Sequence, residues 1–446
     1  MRKFSHSEYL KLCFHCLTKH RKCFKIPYTK QSIIKDLQFK KIKQLIEVAY
    51  NYTPFYNEKY RIHKITPEDI RCLEDLSYLP TITKDELAER PTDFVDRRCK
   101  RSKLIISRSS GTNGKFVTLY ITPEAFIEQH IQVLRMLKEM DPFYNFLSKE
   151  LLLYTSEYPF SNILGAYRVF YINNLAPIDK ITSTITKVRP SVLAAYPSIL
   201  HDIIANAPYD MSKSGIRTII TNSEQSTQLE RNKFARTFNS HVYDEFSSEE
   251  LSAIAYQCKN HKYHLVQDSS YIEILNINSD TPTPIEETGE IVGTNLLNFA
   301  MPLIRYRQGD LGALSTTKCS CGKTSPVLNK ICGRINDSFV RKDGTIIPSG
   351  RLLDWIYRLV ITYDLPINNI RLIQKSFTKI QLAINVNDSD FSQKTQNKIA
   401  KSFKDHFGHF FEIEYLNYDS DYSSREGKVK PIQSLLDKHT IHKCYL

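Results

Sequence analysis

Apolar residues in the first hundred positions recur at helical spacing. The run "SIIKDLQFKKIKQLIEVAYNY" (32–52) predicts a helix that Pro54 ends. "ITPEDI" (65–70) has a Thr-Pro start and acidic residues behind it, which predicts one short helix. From about Lys103 the texture changes. "KLIIS", "ELLLYT", "VRPSVLAAY" and "IRTIITNS" are short apolar runs, separated by helical stretches at 124–140 and 227–239. Strands alternating with helices predict an α/β domain around a mainly parallel sheet. Residues 253–331 then become strand-rich, with "YHLVQDSSYIEIL", "GEIVGTNLLN" and "LIRYRQGDLGAL". After Gly333-Arg334 a smaller α/β pattern follows, with "NNIRLIQKS", "KIQLAINV" and a helix near 391–407. No internal repeat or low-complexity tract interrupts the chain. The expected fold class is α/β. A large multi-layer domain has a helical N-terminal segment (1–100) and a core with a β-rich subdomain (101–335), and a small mobile α/β domain (336–446) follows.

Composition narrows the class. The chain has 446 residues, 24% of them charged and 11% aromatic, which suits a folded globular protein with a sizeable core. The start, "MRKFSHSEYLKLCFHC", lacks the apolar stretch of a signal peptide, and no window is long and apolar enough for a membrane span. The expectation is a soluble cytoplasmic protein, whose ten cysteines are thiols or metal ligands. Of the net charge of +13, residues 1–43 contribute +10. Such a segment is a solvated basic helix pair or a dock for an acidic partner or anionic membrane. The rest is near neutral and has no recognisable nucleic-acid signature, so no nucleic-acid partner is expected.

One loop carries candidate chemistry. In "SRSSGTNGKF" (107–116), Gly111 and Gly114 free the backbone to turn N–H groups inward as an anion nest. Ser109, Ser110 and Thr112 add hydroxyls, and Lys115 adds a mobile cation. The Gly spacing and Phe116 exclude a Walker A loop. Alone, such a stretch is most often an ordinary surface loop.

It is not alone. "SSGTNGK" resembles the phosphate-binding signature of the adenylate-forming superfamily, SSGTTGKP. The resemblance recurs in order: "NSEQS" (222–226), "YDEFSSEEL" (243–251), "MPLIRYRQGDLG" (301–312), "CGRINDSF" (332–339) and "EGKVKPI" (426–432). Within the superfamily the chain resembles the phenylacetate–coenzyme A ligase and CapK-like capsule-biosynthesis group through "VAYNYTPFYNEKY", "LEDLSYLPTITKDEL", "RPSVLAAYPSIL" and "CSCGKTSPVLNKICGR". It covers nearly the whole chain from about residue 40.

The resemblance implies an ATP-dependent enzyme. A carboxylate attacks the α-phosphate to give an acyl-adenylate and pyrophosphate, and Mg²⁺ and cations offset the gathering charge. Ser109, Ser110, Gly111, Thr112, Gly114 and Lys115 would hold the outer phosphates. Ser223, Glu224, Asp244 and Phe246 would surround the adenine, Asp310 would accept from the ribose hydroxyls, and Arg334 would support ribose or phosphate. Glu250 would ligate Mg²⁺. Lys428 would reach the reacting oxygens when residues 336–446 close as a lid. Three departures from the family pattern are mild: Asn113 in the loop, Ser247 beside the adenine ring and Asn336 at the hinge. The acyl acceptor is expected to be a sugar hydroxyl or amine in surface-polysaccharide assembly, or alternatively coenzyme A. Polar Ser156, Glu157 and Asn162 fall where the family lines its acid pocket, which favours a polar acid over phenylacetate. A non-catalytic scaffold with the same fold is the remaining alternative.

Cys258, His264, Cys319 and Cys321 have the makings of a Cys₃His zinc site across two strand-rich segments, with His261 and Cys332 as alternates. The resembled group often carries a similar set; plain reduced thiols are the rival reading. Cys13, Cys16, His20 and Cys23 share one helix face, which suits packing better than enclosing an ion. Trp355 is expected to pack a C-terminal helix on its sheet.

Overall fold

The computed structural model describes residues 4–108, 117–154, 161–277, 279–334, 337–363, 370–384, 393–417 and 431–437. Its N-terminal layer holds α1 (His6–Cys23), α2 (Gln31–Tyr52) and α3 (Pro54–Ile62), followed by β1 (Ile82–Thr83) and α4 (Lys84–Glu89). α2 buries Ile34, Ile42, Leu45, Ile46 and Ala49, a stripe set by its three- and four-residue spacing. Pro54 ends α2, yet the chain stays helical. It becomes the first residue of α3, where a missing N–H leaves no bond unmade. "ITPEDI" forms a single 3₁₀ turn, Pro67–Asp69, inside a Thr66/Asp69 capping box. α1 is continuous and buries Leu12 and Cys13. Phe4 meets Phe126 edge-on at 5.6 Å, and Lys11 pairs with Glu124 at 3.1 Å, which seats this end of the chain on a later helix.

That helix is α5 (Pro123–Met140). Thr122 caps it by accepting from the Ala125 N–H, with Pro123 in the first turn. It follows a hairpin of β2 (Ile105–Arg108) and β3 (Thr118–Ile121). The main sheet then begins with β4 (Lys149–Tyr154) and β5 (Arg168–Asn173). α6 (Ile178–Val188), β6 (Val192–Ala195), α7 (Pro197–Asn206), β7 (Thr218–Thr221), α8 (Gln228–Phe238) and β8 (His241–Ser248) continue it. β5, β4, β6, β7 and the start of β8 run parallel. Side chains alternate across this sheet. Leu151, Leu153, Leu193 and Ile219 pack under α6–α8, whereas Leu152, Val169, Ala194 and Ile220 join the core on the α5 side.

The strand-rich part comprises β9 (Ser252–Gln257), β10 (Tyr263–Leu265), β11 (Ser270–Leu275), β12 (Gly289–Asn295), β13 (Tyr306–Leu314) and β14 (Val327–Arg334). With β1 it extends the same sheet to twelve strands, ordered β11-β12-β13-β14-β10-β9-β8-β7-β6-β4-β5 with β1 paired to β13. Beyond it lie the hairpin of β15 (Phe339–Val340) and β16 (Ile346–Ile347), then α9 (Ser349–Tyr363), β17 (Ile370–Gln374), β18 (Lys379–Ile384), α10 (Gln393–Phe407), β19 (Glu412–Asn417) and β20 (Ile432–Ser434). These have a core of their own in which Trp355, 2% exposed, meets Phe403 and Phe407 edge-on. The architecture is α/β. Among the described residues, no helix is long and apolar enough to cross a membrane.

Candidate active site

Between α5 and the face of the parallel strands turned toward it lies a cavity of about 680 Å³. Open α/β sheets place ligands beyond the carboxyl ends of their strands, and this cavity follows that rule. Tyr154 ends β4, Tyr196 follows β6, and Asn222 and Ser223 follow β7. Tyr154 and Tyr196 stack at 5.9 Å, and Asn222 Nδ2 donates to the Tyr154 hydroxyl.

Three acidic residues lie on β8 and in the turn that follows it. Glu250, 7% exposed, lines the cavity; its Oε1 accepts from the Tyr306 hydroxyl at 3.2 Å, and its carbonyl accepts from Asn295 Nδ2 at 2.8 Å. Glu249 Oε2 accepts from the Ser107 hydroxyl at 2.7 Å. Ser107 lies near the end of β2, where it pairs with Leu119, and Arg108 pairs with Thr118. Glu245, on β8, also faces the cavity. Burial raises its carboxyl to about 7.

Asp310 and Arg334 face each other across β13 and β14, with Arg334 Nε donating to Asp310 Oδ1 at 3.2 Å. Burial raises the Asp310 carboxyl, and the Arg334 charge opposes that rise. Arg334 reaches the cavity wall. Gly333, beside it, has φ +87°, and a Cβ there would stand 2.0 Å from Ser349 Oγ at the start of α9. The passage into the C-terminal elements is therefore a close backbone approach that requires glycine.

The structure thus brings Ser223, Glu250 and Arg334 to one cavity, with Asp310 paired to Arg334. Others lie outside its lining. Glu224 caps α7, accepting from the Ser198 N–H at 3.0 Å and its hydroxyl at 2.9 Å. Asp244 is held by the Tyr263 hydroxyl at 2.7 Å, by Thr221 and by the Gln257 contact to its N–H at 3.0 Å. Phe246 packs against the main core. Asn162 accepts from the Tyr9 hydroxyl at 3.2 Å, away from the cavity. Ser109, Ser110, Gly111, Thr112, Gly114, Lys115, Ser156, Glu157, Asn336 and Lys428 lie outside the described residues. The sequence reading missed Glu150, Glu245, Asn222 and Ser107 as cavity residues. The signal for Glu150 was available: it shares the parity of Leu152 and Tyr154 along β4.

A second constellation lies where β9, β10 and the turn before β14 meet. Cys258, His264, Cys319 and Cys321 offer four ligand atoms within 4.8 Å of one another. Cys258 Sγ is 3.7 Å from Cys319 Sγ, and His264 Nε2 is 3.2 Å from Cys321 Sγ. His264 Nδ1 sits 3.2 Å from the Ser325 carbonyl. A proton on Nδ1 leaves Nε2 as the ligand atom, the usual support of a metal-bound imidazole. His261 is outside this group and packs on Tyr243 at 5.9 Å; Cys332 is outside it too.

No family model matches the chain. It is 24% identical over 333 residues to the phenylacetate-coenzyme A ligase of Escherichia coli, spanning 71% of this chain and 74% of that one. It is 21% identical over 438 residues to the phenylacetate-coenzyme A ligase of Thermus thermophilus, spanning 90% and 96%. Among solved structures, 2-hydroxyisobutyryl-CoA ligase in the postadenylation state with 2-HIB-AMP superposes with a TM-score of 0.77 at 17% identity, over 94% of this chain and 93% of that one. The fold and these relatives support an adenylate-forming ligase. Among such ligases its sequence is similar to the phenylacetate–coenzyme A ligases.

Proposed function

We propose that the protein adenylates a carboxylic acid with ATP and passes the acyl group to coenzyme A. The observation that carries this reading is the convergence of Glu250, Arg334 and Ser223 on one cavity, with Asp310 paired to Arg334 beside it. Glu250 suits Mg²⁺, because it offers a buried hard-oxygen donor that lines the cavity. Bound there, Mg²⁺ would offset phosphate charge in the transition state. Asp310 would accept from the ribose hydroxyls, and Arg334 would hold Asp310 in place and supply positive charge. Residues 109–115 would cradle the β and γ phosphates. Lys428 would neutralise the oxygens between carboxylate and α-phosphate. Coenzyme A is preferred to a sugar as acceptor because the relatives and the solved neighbour are named as CoA ligases. The Cys258/His264/Cys319/Cys321 quartet is proposed to hold a structural zinc ion. All four ligands come from the protein, so no open position is left for catalysis.

The test is acid-dependent loss of the coenzyme A thiol with release of AMP, across aromatic, aliphatic, amino and sugar acids. We expect one acid class to drive both, and Glu250→Gln and Lys428→Ala to suppress both. AMP release without thiol loss, restored by a sugar acceptor, would replace coenzyme A with the sugar. ATP binding with no AMP release from any acid would favour the scaffold reading.

A further inference from the structure

One wall of the cavity is rich in buried polar groups. Glu150, Leu152 and Tyr154 alternate along β4 onto the cavity side. Glu150 is 5% exposed, and burial together with the nearby charge of Glu245 raises its carboxyl to about 8. Ser247 and Asn222 lie close enough to Glu245 to oppose the rise that burial gives its carboxyl. Gln132, on α5, and Asn222 are each 4% exposed and line the same cavity. Gln132 Oε1 and Asn222 Oδ1 are buried with no hydrogen-bond partner among the described residues. Asn222 Nδ2 is committed to Tyr154. The wall therefore presents two carboxyl groups and two amide carbonyls, and a cation bound among them would release to solvent the proton that burial otherwise keeps on Glu150. Val133, Met136, Leu152 and Val169 fill the space around them. Lys84 and Arg334 also reach the cavity, but the charges that act on Glu150 and Glu245 are those of other carboxylates, Glu245 and Asp244.

Buried acceptors of this kind cost free energy unless a donor meets them. A divalent cation between Glu150 and Glu245 is poorly served, since the one cluster of three or more metal-ligating side chains among the described residues is the Cys/His quartet. A ligand with an apolar body and several N–H donors carrying positive charge meets every one of these groups. We propose that the acid accepted here bears a protonated amine, held by Glu150 and Glu245 with the carbonyls of Gln132 and Asn222, while its carbon skeleton packs under α5. The proposal rests on the adenylation reading for the fate of the acid, but not for its binding.

The experiment uses the full chain and sets of acids with one skeleton bearing an amine, a hydroxyl or a methyl group at the same position, in both aliphatic and aryl series. Calorimetry reads binding of each acid, and pyrophosphate exchange is read in parallel. We expect the amine to bind about 10–100-fold tighter than its methyl or hydroxyl counterpart. Glu150→Gln and Glu245→Gln should each erase most of that preference. Glu245→Ile should tighten binding of the methyl acid, a gain that an unfolded variant cannot give. Equal binding of the amine and hydroxyl acids would overturn the proposal. So would tighter binding of the methyl acid by the unaltered protein, or binding of none. Amine-selective binding without exchange from any acid would instead overturn adenylation and leave the amine site standing.

Discussion

Replacing Glu150 by Gln gives a prediction whose sign and size follow from the structure. The side chain lies on β4 with Glu245, Tyr154 and Gln132 around the same cavity. Burial, and then the Glu245 charge, lift its carboxyl from 4.5 to about 8. At pH 7 the folded chain therefore keeps Glu150 largely protonated, while the unfolded chain ionises it. A raised carboxylate weakens folding as pH climbs from the ordinary value toward 8 and has no effect below it. Taking about 1.4 kcal/mol per unit, the penalty is about 3 kcal/mol at pH 7 and about 1 kcal/mol at pH 5. Gln is neutral at both, so Glu150→Gln should be the more stable protein, by a margin that grows with pH. Urea unfolding of both proteins at pH 5, 6 and 7 measures it, and other titrating groups largely cancel in the difference. A margin that stays flat or shrinks as pH rises would refute a buried, elevated Glu150.

Four further outcomes are expected. Arg305 is fully buried and donates to Glu273 at 3.1 and 3.2 Å and to the carbonyls of Leu79 and Asp280. Arg305→Met should cost about 3–5 kcal/mol in urea unfolding, because it strands a buried carboxylate, and Glu273→Leu in the same chain should restore much of it. Gly333→Ala should lower stability by about 1–3 kcal/mol through its positive φ and the Ser349 clash. Gly309→Ala, at φ +83° with nothing within 4 Å, should cost about 1 kcal/mol by thermal unfolding. Elemental analysis should find about one zinc per chain, lost in Cys319→Ser/Cys321→Ser with a fall in Tm.

Much of the fold was legible because its periodicities are strong. Residues 124–140 form α5, 227–239 form α8 with a Thr227/Glu230 capping box, and the apolar runs at 103, 150, 188 and 216 all contain strands. Pro54 was legible as a breaker but not as a helix start, a choice fixed by how α2 and α3 pack. Glu250 and Arg334 could be read from motif order, and the structure brings both to the cavity. Glu224 and Asp244 belong to motif segments too, but their side chains are taken up by the Ser198 cap and the Thr221/Tyr263 network. Motif position does not reveal which face of a strand or turn a residue occupies. Glu150 shows the converse. Inside "KELLLY" it reads as the polar edge of an apolar strand, and only the packing of α5 over β4 makes it a cavity wall.

The most direct test of the central claim is acid-dependent exchange of labelled pyrophosphate into ATP, measured without coenzyme A. We expect exchange with an amine-bearing acid, falling by about 10²-fold or more in Glu250→Gln and in Lys428→Ala. Exchange in the two variants at the rate of the unaltered protein would contradict the roles given to those residues. No exchange with any acid, from a protein that binds both acid and ATP, would contradict adenylation itself.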